Sequence, residues 1–190
     1  METAREAMIK AAMKGVRLYG LHGVRIRHIS ELAGVLPSSI YGYFKGKDHL
    51  MQACFERVTE QISEMMKQAK PRAELLQDSP QQAMREYWVP FYRWLLRHPD
   101  ETVFFHRYCD GPSGPLSSVK DSEWHGDFVS AMSPLAHGVL PDSPETERLL
   151  WLHGVLGTVR YAKYVIEGLL PDNAQTESGI FFLTFPGLKD

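Results

Sequence analysis

Two short apolar patterns on either side of a glycine turn constrain the fold of this chain more than any other feature. Over about Arg25–Ala33, apolar residues recur at three- and four-residue steps, the period of a helix that buries one face. Gly34 closes this pattern, and Pro37 opens a second one that can run only to about Phe44, because Lys-Gly-Lys follows. Proline suits a first helical position, where its missing N–H would be unpaired anyway. Two short helices joined by a tight turn predict a helix-turn-helix.

Helical spacing of apolar residues continues along most of the chain, and no segment shows a convincing strand alternation. Thr3 is the predicted N-cap of a first helix, and Gly20 stands where a left-handed residue would end it. The fold class is therefore predicted to be all-α, with a loop at residues 110–118. Further helices are expected over about Asp48–Lys67, 81–98, 101–109, 144–170 and 174–185.

The composition is that of an ordinary globular protein, with 44% hydrophobic and 23% charged residues in 190. No apolar run approaches the roughly 18–20 residues that cross a bilayer. The N-terminus lacks the apolar core of an export signal, so we expect a cytoplasmic protein without a membrane partner. Cys54 and Cys109 have no redox or metal-ligand spacing and are interpreted as reduced core thiols.

Charge is distributed unevenly along the chain, although the net charge is only -2. Residues 1–50 hold eight Lys/Arg against four Asp/Glu, a net charge of +4, and the remaining residues hold thirteen against nineteen, a net charge of -6. A basic N-terminal part on an acidic remainder suggests that the first part meets a polyanion such as DNA.

The second helix of a helix-turn-helix enters the DNA major groove with its first residues nearest the base edges. Small side chains at Pro37, Ser38 and Ser39 would allow close approach. Tyr41 and Tyr43 are two residues apart, so we expect one to pack inward and the other to reach a phosphate. Nearby cations would bind the DNA backbone. The predicted DNA-binding set is Arg25, Arg27, His28, Pro37, Ser38, Ser39, Tyr41, Tyr43, Lys45 and Lys47.

In this stretch the chain resembles the TetR family of bacterial transcription regulators. The resemblance covers about residues 5–55 without a gap and rests on Ala11-Ala12, Gly20-Leu21, "VRIRHIS" at 24–30, "AGV", "IYGYF", "GKD" and Leu50. Val24 departs from the usual Thr, Leu36-Pro37 from a small polar pair, and Gly42 from His or Arg. Leu36 cannot cap the third helix, an omission worth roughly 0.5–2 kcal/mol. These departures concern DNA preference more than fold.

The resemblance implies two domains: a helix-turn-helix DNA-binding domain at 1–47, and a larger helical ligand-binding and dimerisation domain at 48–190. It implies a homodimeric repressor that leaves a palindromic double-stranded DNA operator when a small effector binds. The aromatic residues of the second domain predict a hydrophobic or aromatic effector, with no cofactor. The predicted ligand-binding set is Trp88, Phe91, Tyr92, Phe105, His106, Cys109, Trp124, Phe128, His153 and Tyr161.

Two other classes remain open. The chain could be a helical adaptor that acts through protein partners, since Val24, Leu36 and Gly42 depart from the family pattern. It could also be a metal-responsive regulator, because His106 and Cys109 stand three residues apart on an expected helix, although two such ligands alone are a weak signal. An enzyme is not expected, since the sequence has no HExxH, GxSxG, Walker A or CxxC motif.

Overall fold

The protein is all-α over the residues that the computed structural model describes, which are 3–69, 80–110, 143, 145 and 151–185. The predicted class is confirmed. The helices in this part are α1 (Ala4–Tyr19), α2 (Ile26–Ala33), α3 (Pro37–Tyr43), α4 (Lys47–Gln68), α5 (Pro80–Arg97), α6 (Pro99–Cys109), a π-helical segment (Trp151–Leu156) that continues into α7 (Gly157–Ile166), and α8 (Ala174–Thr184).

Helix α1 begins where the sequence predicted. The Thr3 hydroxyl accepts the Glu6 N–H at 3.2 Å, and the Glu6 carboxylate accepts the Thr3 N–H at 3.2 Å, a reciprocal capping box. The C-terminal end of α1 differs from the left-handed cap predicted at Gly20. Gly20 has a positive φ of 78° but a ψ of 162°, so it lies outside the left-handed helical region, in a conformation that glycine adopts more readily than other residues. The chain turns here at once, because the Gly20 carbonyl accepts the Val24 N–H at 3.0 Å.

The first three helices pack around a small apolar core. Val16, Ile29, Ile40 and Phe44 are all buried in it. Gly15 allows the close approach of α1 to the turn, because a Cβ there would lie 2.9 Å from Cγ2 of Val24. The tight turn that follows α2 needs the left-handed glycine Gly34, with φ 67° and ψ 32°. The helix-turn-helix geometry thus follows from local sequence rules.

The chain divides into two compact units. The head unit contains Met1–Gln61 and His98–Pro115, and the body unit contains Ile62–Arg97 and Leu116–Asp190. Within the head unit, α6 packs against α1, and the rings of Phe55 and Phe105 stack with centroids 5.8 Å apart. The domains predicted at 1–47 and 48–190 are functional divisions and remain a prediction.

The body unit is built on an aromatic core. Trp88 stacks on Tyr92 with ring centroids 4.8 Å apart, and Phe181 meets Trp88 edge-on at 5.4 Å. The Trp88 indole N–H donates to the Thr158 hydroxyl at 2.9 Å, which satisfies a buried donor. Helices α5, α7 and α8 are therefore joined through one tryptophan.

The long helix expected up to Leu170 ends earlier, at Ile166. Gly168, with a φ of 75°, forms a Schellman motif in which its N–H bonds to the Val165 carbonyl at 3.0 Å. The Leu169 N–H bonds to the Tyr164 carbonyl at 2.8 Å in the same motif. A glycine C-cap, not Pro171, stops the helix. Within the expected range 144–170, residues 144 and 146–150 lie outside the described part. Of the loop predicted at 110–118, the structure describes only Asp110, which follows the last residue of α6.

Candidate nucleic-acid interface

Two buried side chains at the inner face of α3 hold the helix in place, and its other side chains are exposed or half-buried. Ile40 and Phe44, four residues apart, are buried, whereas Pro37 and Ser38 are exposed and Ser39 is half-buried. The exposed residues therefore lie on the face opposite the core of the head unit. This is the arrangement that a reading helix needs, because the apolar face fixes its position and the polar face remains available.

Neither tyrosine of α3 packs inward, and this part of the sequence-based expectation is wrong. Tyr41 is 60% exposed and Tyr43 is 51% exposed. The inward position belongs instead to Phe44, because it follows Ile40 by one helical turn. Both phenol groups are consequently available on the surface of the predicted DNA-binding face.

The basic residues predicted to contact DNA differ in their exposure to solvent. Arg25, Arg27 and Lys45 are exposed, whereas His28 is half-buried. The His28 ring lies 4.3 Å from the Tyr19 ring between centroids, and its Nδ1 accepts the Arg25 N–H at 3.3 Å. His28 thus helps to begin α2, in addition to the DNA contact predicted for it.

Lys47 has an intramolecular role that the sequence did not indicate. Its ammonium group donates to the Leu21 carbonyl at 2.8 Å, which joins the start of α4 to the turn after α1. No local signal could have revealed this contact, since the two residues are 26 positions apart. Next to it, the Lys45 N–H donates to His49 Nδ1 at 3.1 Å, which orders the connection between α3 and α4.

Comparison with known proteins identifies this head. Residues 8–54 match the family model described as "Bacterial regulatory proteins, tetR family". Over 99 residues the chain is 34% identical to the HTH-type transcriptional repressor NicS of Pseudomonas putida, a match that covers 52% of this chain and 45% of that relative. Residues 8–54 therefore carry the sequence pattern of the tetR family of bacterial regulatory proteins. The match with NicS spans about half the length of either chain.

Solved structures of TetR-family proteins share the whole fold. A regulator from Marinobacter aquaeolei VT8 superimposes with a TM-score of 0.75 at 17% identity, covering 98% of this chain and 96% of that one. A TetR-like regulator from Rhodococcus sp. RHA1 gives a TM-score of 0.71 at 20% identity, covering 99% and 98%. FadR from Bacillus subtilis, solved in complex with stearoyl-CoA, gives 0.68 at 16% identity, covering 96% and 98%. At these identities the matches show the fold alone.

The ligand-binding residues predicted for the effector are divided between the two units. Trp88, Phe91 and Tyr92 are buried in the body unit, where Tyr161 is half-buried and His153 is exposed. Phe105, His106 and Cys109 belong to the head unit instead. Trp124 and Phe128 lie outside the described residues. Their role as ligand contacts remains a prediction.

The alternative of a metal-responsive regulator depends on His106 and Cys109 in α6, and the environment of Cys109 does not support it. Burial raises the pKa of the Cys109 thiol to about 12, with Asp110 adding to the effect, so the thiol stays neutral near pH 7. A metal would need the thiolate. Across residues 3–69, 80–110 and 151–185, no group of three His, Cys, Asp or Glu side chains could hold a metal ion.

A cleft of about 600 Å³ lies in the head unit, between α1 and α4. Its lining is charged rather than aromatic, so it differs from the apolar effector pocket that the sequence predicts between residues 85 and 165. The residues that line it are Arg5, Glu6, Ile9, Lys10, Met13, Ala53, Glu56, Arg57, Glu60, Gln61 and Glu101.

Arg107 is one of several arginines whose spacing along the helices predicts exposure to solvent, and for Arg107 this prediction is wrong. It is half-buried, and its guanidinium donates to the carbonyls of Val16 at 2.5 Å and of Arg17 at 3.2 Å. These carbonyls belong to the last turn of α1, where cations are stabilised by the helix dipole. Arg17 in turn pairs with Asp100 at 3.0 Å. Two arginines thus connect α6 to α1 within the head unit.

Proposed function

We propose that this protein is a ligand-responsive transcription regulator of the TetR family that binds double-stranded DNA through α3. The observation that carries the proposal is the outward face of α3, where Pro37, Ser38, Tyr41 and Tyr43 are exposed above the buried Ile40. Exposed arginines and Lys45 beside this face match the negative charge of the DNA backbone. The NicS relative is a transcriptional repressor, which favours repression here as well.

The proposal includes a homodimer that reads a palindromic operator in the cytoplasm. The support is an apolar surface on and near α8, where Leu183 is 61% exposed, Phe182 45% and Leu169 68%. A second copy could cover such a surface through an isologous contact. Two heads would then read half-sites about one helical turn apart, or a multiple of that spacing. For the described helices, none is both long and apolar enough to cross a membrane.

The proposed effector is small and largely hydrophobic or aromatic. Support comes from the aromatic core around Trp88 and Tyr92. The FadR structure of the same fold contains stearoyl-CoA, of which only the acyl chain has the apolar character proposed here. Among the arginines over 85–165, Arg97 and Arg160 are exposed and Arg93 pairs with Glu177 at 3.0 Å. A polyanionic ligand would need several convergent cations, and these three described arginines are exposed or paired with an acidic side chain instead.

The decisive experiment measures DNA binding by fluorescence anisotropy. The probes are the DNA region upstream of the protein's own gene and a scrambled duplex of equal length, each titrated at several salt concentrations. We expect tighter binding to the upstream duplex, and expect the Arg25→Ala/Arg27→Ala double variant to lose affinity for both probes and to lower the salt slope. Arg97→Ala is the matched control, because it removes an exposed cation of the body unit.

A protein that shows no DNA binding at low salt, while remaining folded by circular dichroism, would refute this proposal and favour the adaptor class. Ligand response is tested separately, by denaturing purified protein, identifying released small molecules by mass spectrometry and adding them back to the DNA complex. An effector of the proposed type should dissociate the complex. A bound metal ion, or a sugar phosphate as the tight ligand, would contradict the effector proposal.

A further inference from the structure

Leu36 is exposed at a position where a leucine has no structural use. Its side chain is 71% accessible to solvent, more than any other large apolar side chain among the described residues. It occupies the N-cap of α3 but makes no side-chain capping bond. A Ser, Thr, Asp or Asn would satisfy a helix N–H at this position. Leu36 therefore leaves the cap unmade and places an apolar group in water, which suggests that something covers it in the functional complex.

The surroundings of Leu36 favour DNA over a protein as the covering partner. It directly precedes Pro37 and Ser38, both exposed, on the helix whose first residues approach the base edges in a helix-turn-helix complex. Between residues 20 and 46 the sequence has Arg25, Arg27 and Lys45 but only Glu31 with a negative charge. This excess of positive charge complements phosphate groups on either side of a groove.

The major groove offers one apolar group to such a side chain. Guanine, cytosine and adenine present donors and acceptors on their groove edges, whereas thymine adds a 5-methyl group. A leucine cannot form hydrogen bonds with its side chain, so it reads a base only by apolar contact. We infer that Leu36 packs on the 5-methyl group of a thymine and thereby selects an A·T pair at one position of each half-site. This inference rests on the proposed DNA-binding function.

The test begins with a selection of binding sites from a random-sequence duplex pool, using the full-length wild-type protein. Each thymine of the recovered consensus is then replaced in turn by deoxyuridine, which keeps every hydrogen-bonding group and removes only the methyl. At one thymine position per half-site we expect an affinity loss of about fourfold, the value of burying one methyl group. The other thymine positions should show no such loss.

The matched variants separate the leucine from the rest of α3. Leu36→Met keeps an apolar side chain and should retain the deoxyuridine effect, whereas Leu36→Ser should bind the thymine and deoxyuridine duplexes equally. Leu36→Ser also supplies the missing cap, so a loss of folding cannot explain its loss of discrimination. Circular dichroism on each variant checks that the fold is intact.

The outcomes distinguish this inference from the function on which it rests. If the pool yields no enriched sequence, both fail. If a consensus emerges but no thymine methyl matters, or if the methyl effect persists in Leu36→Ser, then DNA binding stands and the role of Leu36 is overturned. Persistence in Leu36→Ser would assign the methyl contact to another side chain of α3.

Discussion

The outer face of α3 and the aromatic core of the body unit differ in whether the candidate functional side chains are also the side chains that form the core. On α3, the candidate functional side chains Tyr41 and Tyr43 are exposed, and different residues, Ile40 and Phe44, hold the helix in place. In the body unit, the candidate ligand contacts Trp88 and Tyr92 are themselves the buried core. Substitution can therefore separate binding from stability on α3, whereas in the body unit a residue that contacted the ligand would also be part of the core.

The largest expected effect is in the body unit. Trp88→Ala should lower the free energy of unfolding by about 3–5 kcal/mol, because it removes a buried ring and leaves a cavity among Tyr92, Phe181 and Thr158. Urea unfolding followed by circular dichroism measures this. Thr158→Val keeps the ring but removes the acceptor of the indole N–H and the donor to the Gly154 carbonyl, and should lower the same quantity by about 1–3 kcal/mol. A stable Trp88→Ala protein that has lost its effector response would break the comparison and place Trp88 in a pocket.

The next effect concerns the contact between α6 and α1. Arg107→Ala should lower the free energy of unfolding by about 1.5–3 kcal/mol, because the carbonyls of Val16 and Arg17 lose a charged donor. Arg97→Ala is the control and should change stability by no more than about 0.5 kcal/mol, since Arg97 is exposed. Equal effects of the two substitutions in urea unfolding would show that the Arg107 contacts do not stabilise the head unit.

A gain in stability is expected at the start of α3. Leu36→Ser should raise the free energy of unfolding by about 0.5–2 kcal/mol, because a serine hydroxyl can accept a helix N–H that Leu36 leaves unsatisfied. Leu36→Ala is the matched control, since it shortens the side chain without adding an acceptor. The difference between the two variants in thermal or urea unfolding gives the value of the cap. No difference would mean that the N–H groups at this end are equally well satisfied by water.

Local sequence patterns predicted most of the secondary structure of the head unit. Contacts between residues far apart in the sequence could not be predicted in this way. The capping box at Thr3, the left-handed Gly34 and the proline that opens α3 depend on neighbours within a few residues, so their patterns are visible in the chain. The Lys47 contact with Leu21 and the Arg107 contact with Val16 join residues 26 and 91 positions apart, and no spacing rule indicates them. The sequence could supply aromatic candidates for a pocket but could not separate pocket residues from core residues.

The same distinction explains the wrong expectation for the two tyrosines. A step of two residues on a helix does place Tyr41 and Tyr43 at different angles, but it does not show that either angle faces the core. That direction is set by Ile40 and Phe44, which together fill the inward face of this seven-residue helix. When a short helix has two apolar residues one turn apart, they identify its buried face more reliably than an aromatic pair does.

Tyr41→Ala is expected to have the smallest effect on stability and a large effect on DNA binding. This combination would show most clearly that binding and stability are separate on α3. Tyr41→Ala should change the free energy of unfolding by no more than about 0.5 kcal/mol, because Tyr41 is 60% exposed. DNA affinity should fall by about tenfold or more, in the range of one lost hydrogen bond to a charged phosphate group. Tyr41→Phe then separates the hydroxyl from the ring. Leu18→Ala on α1 is the matched control, since Leu18 is 53% exposed but does not belong to α3, and it should leave both quantities unchanged. A Tyr41→Ala protein that binds its operator normally would remove the tyrosine from the reading face and leave Pro37, Ser38 and the cations to carry recognition.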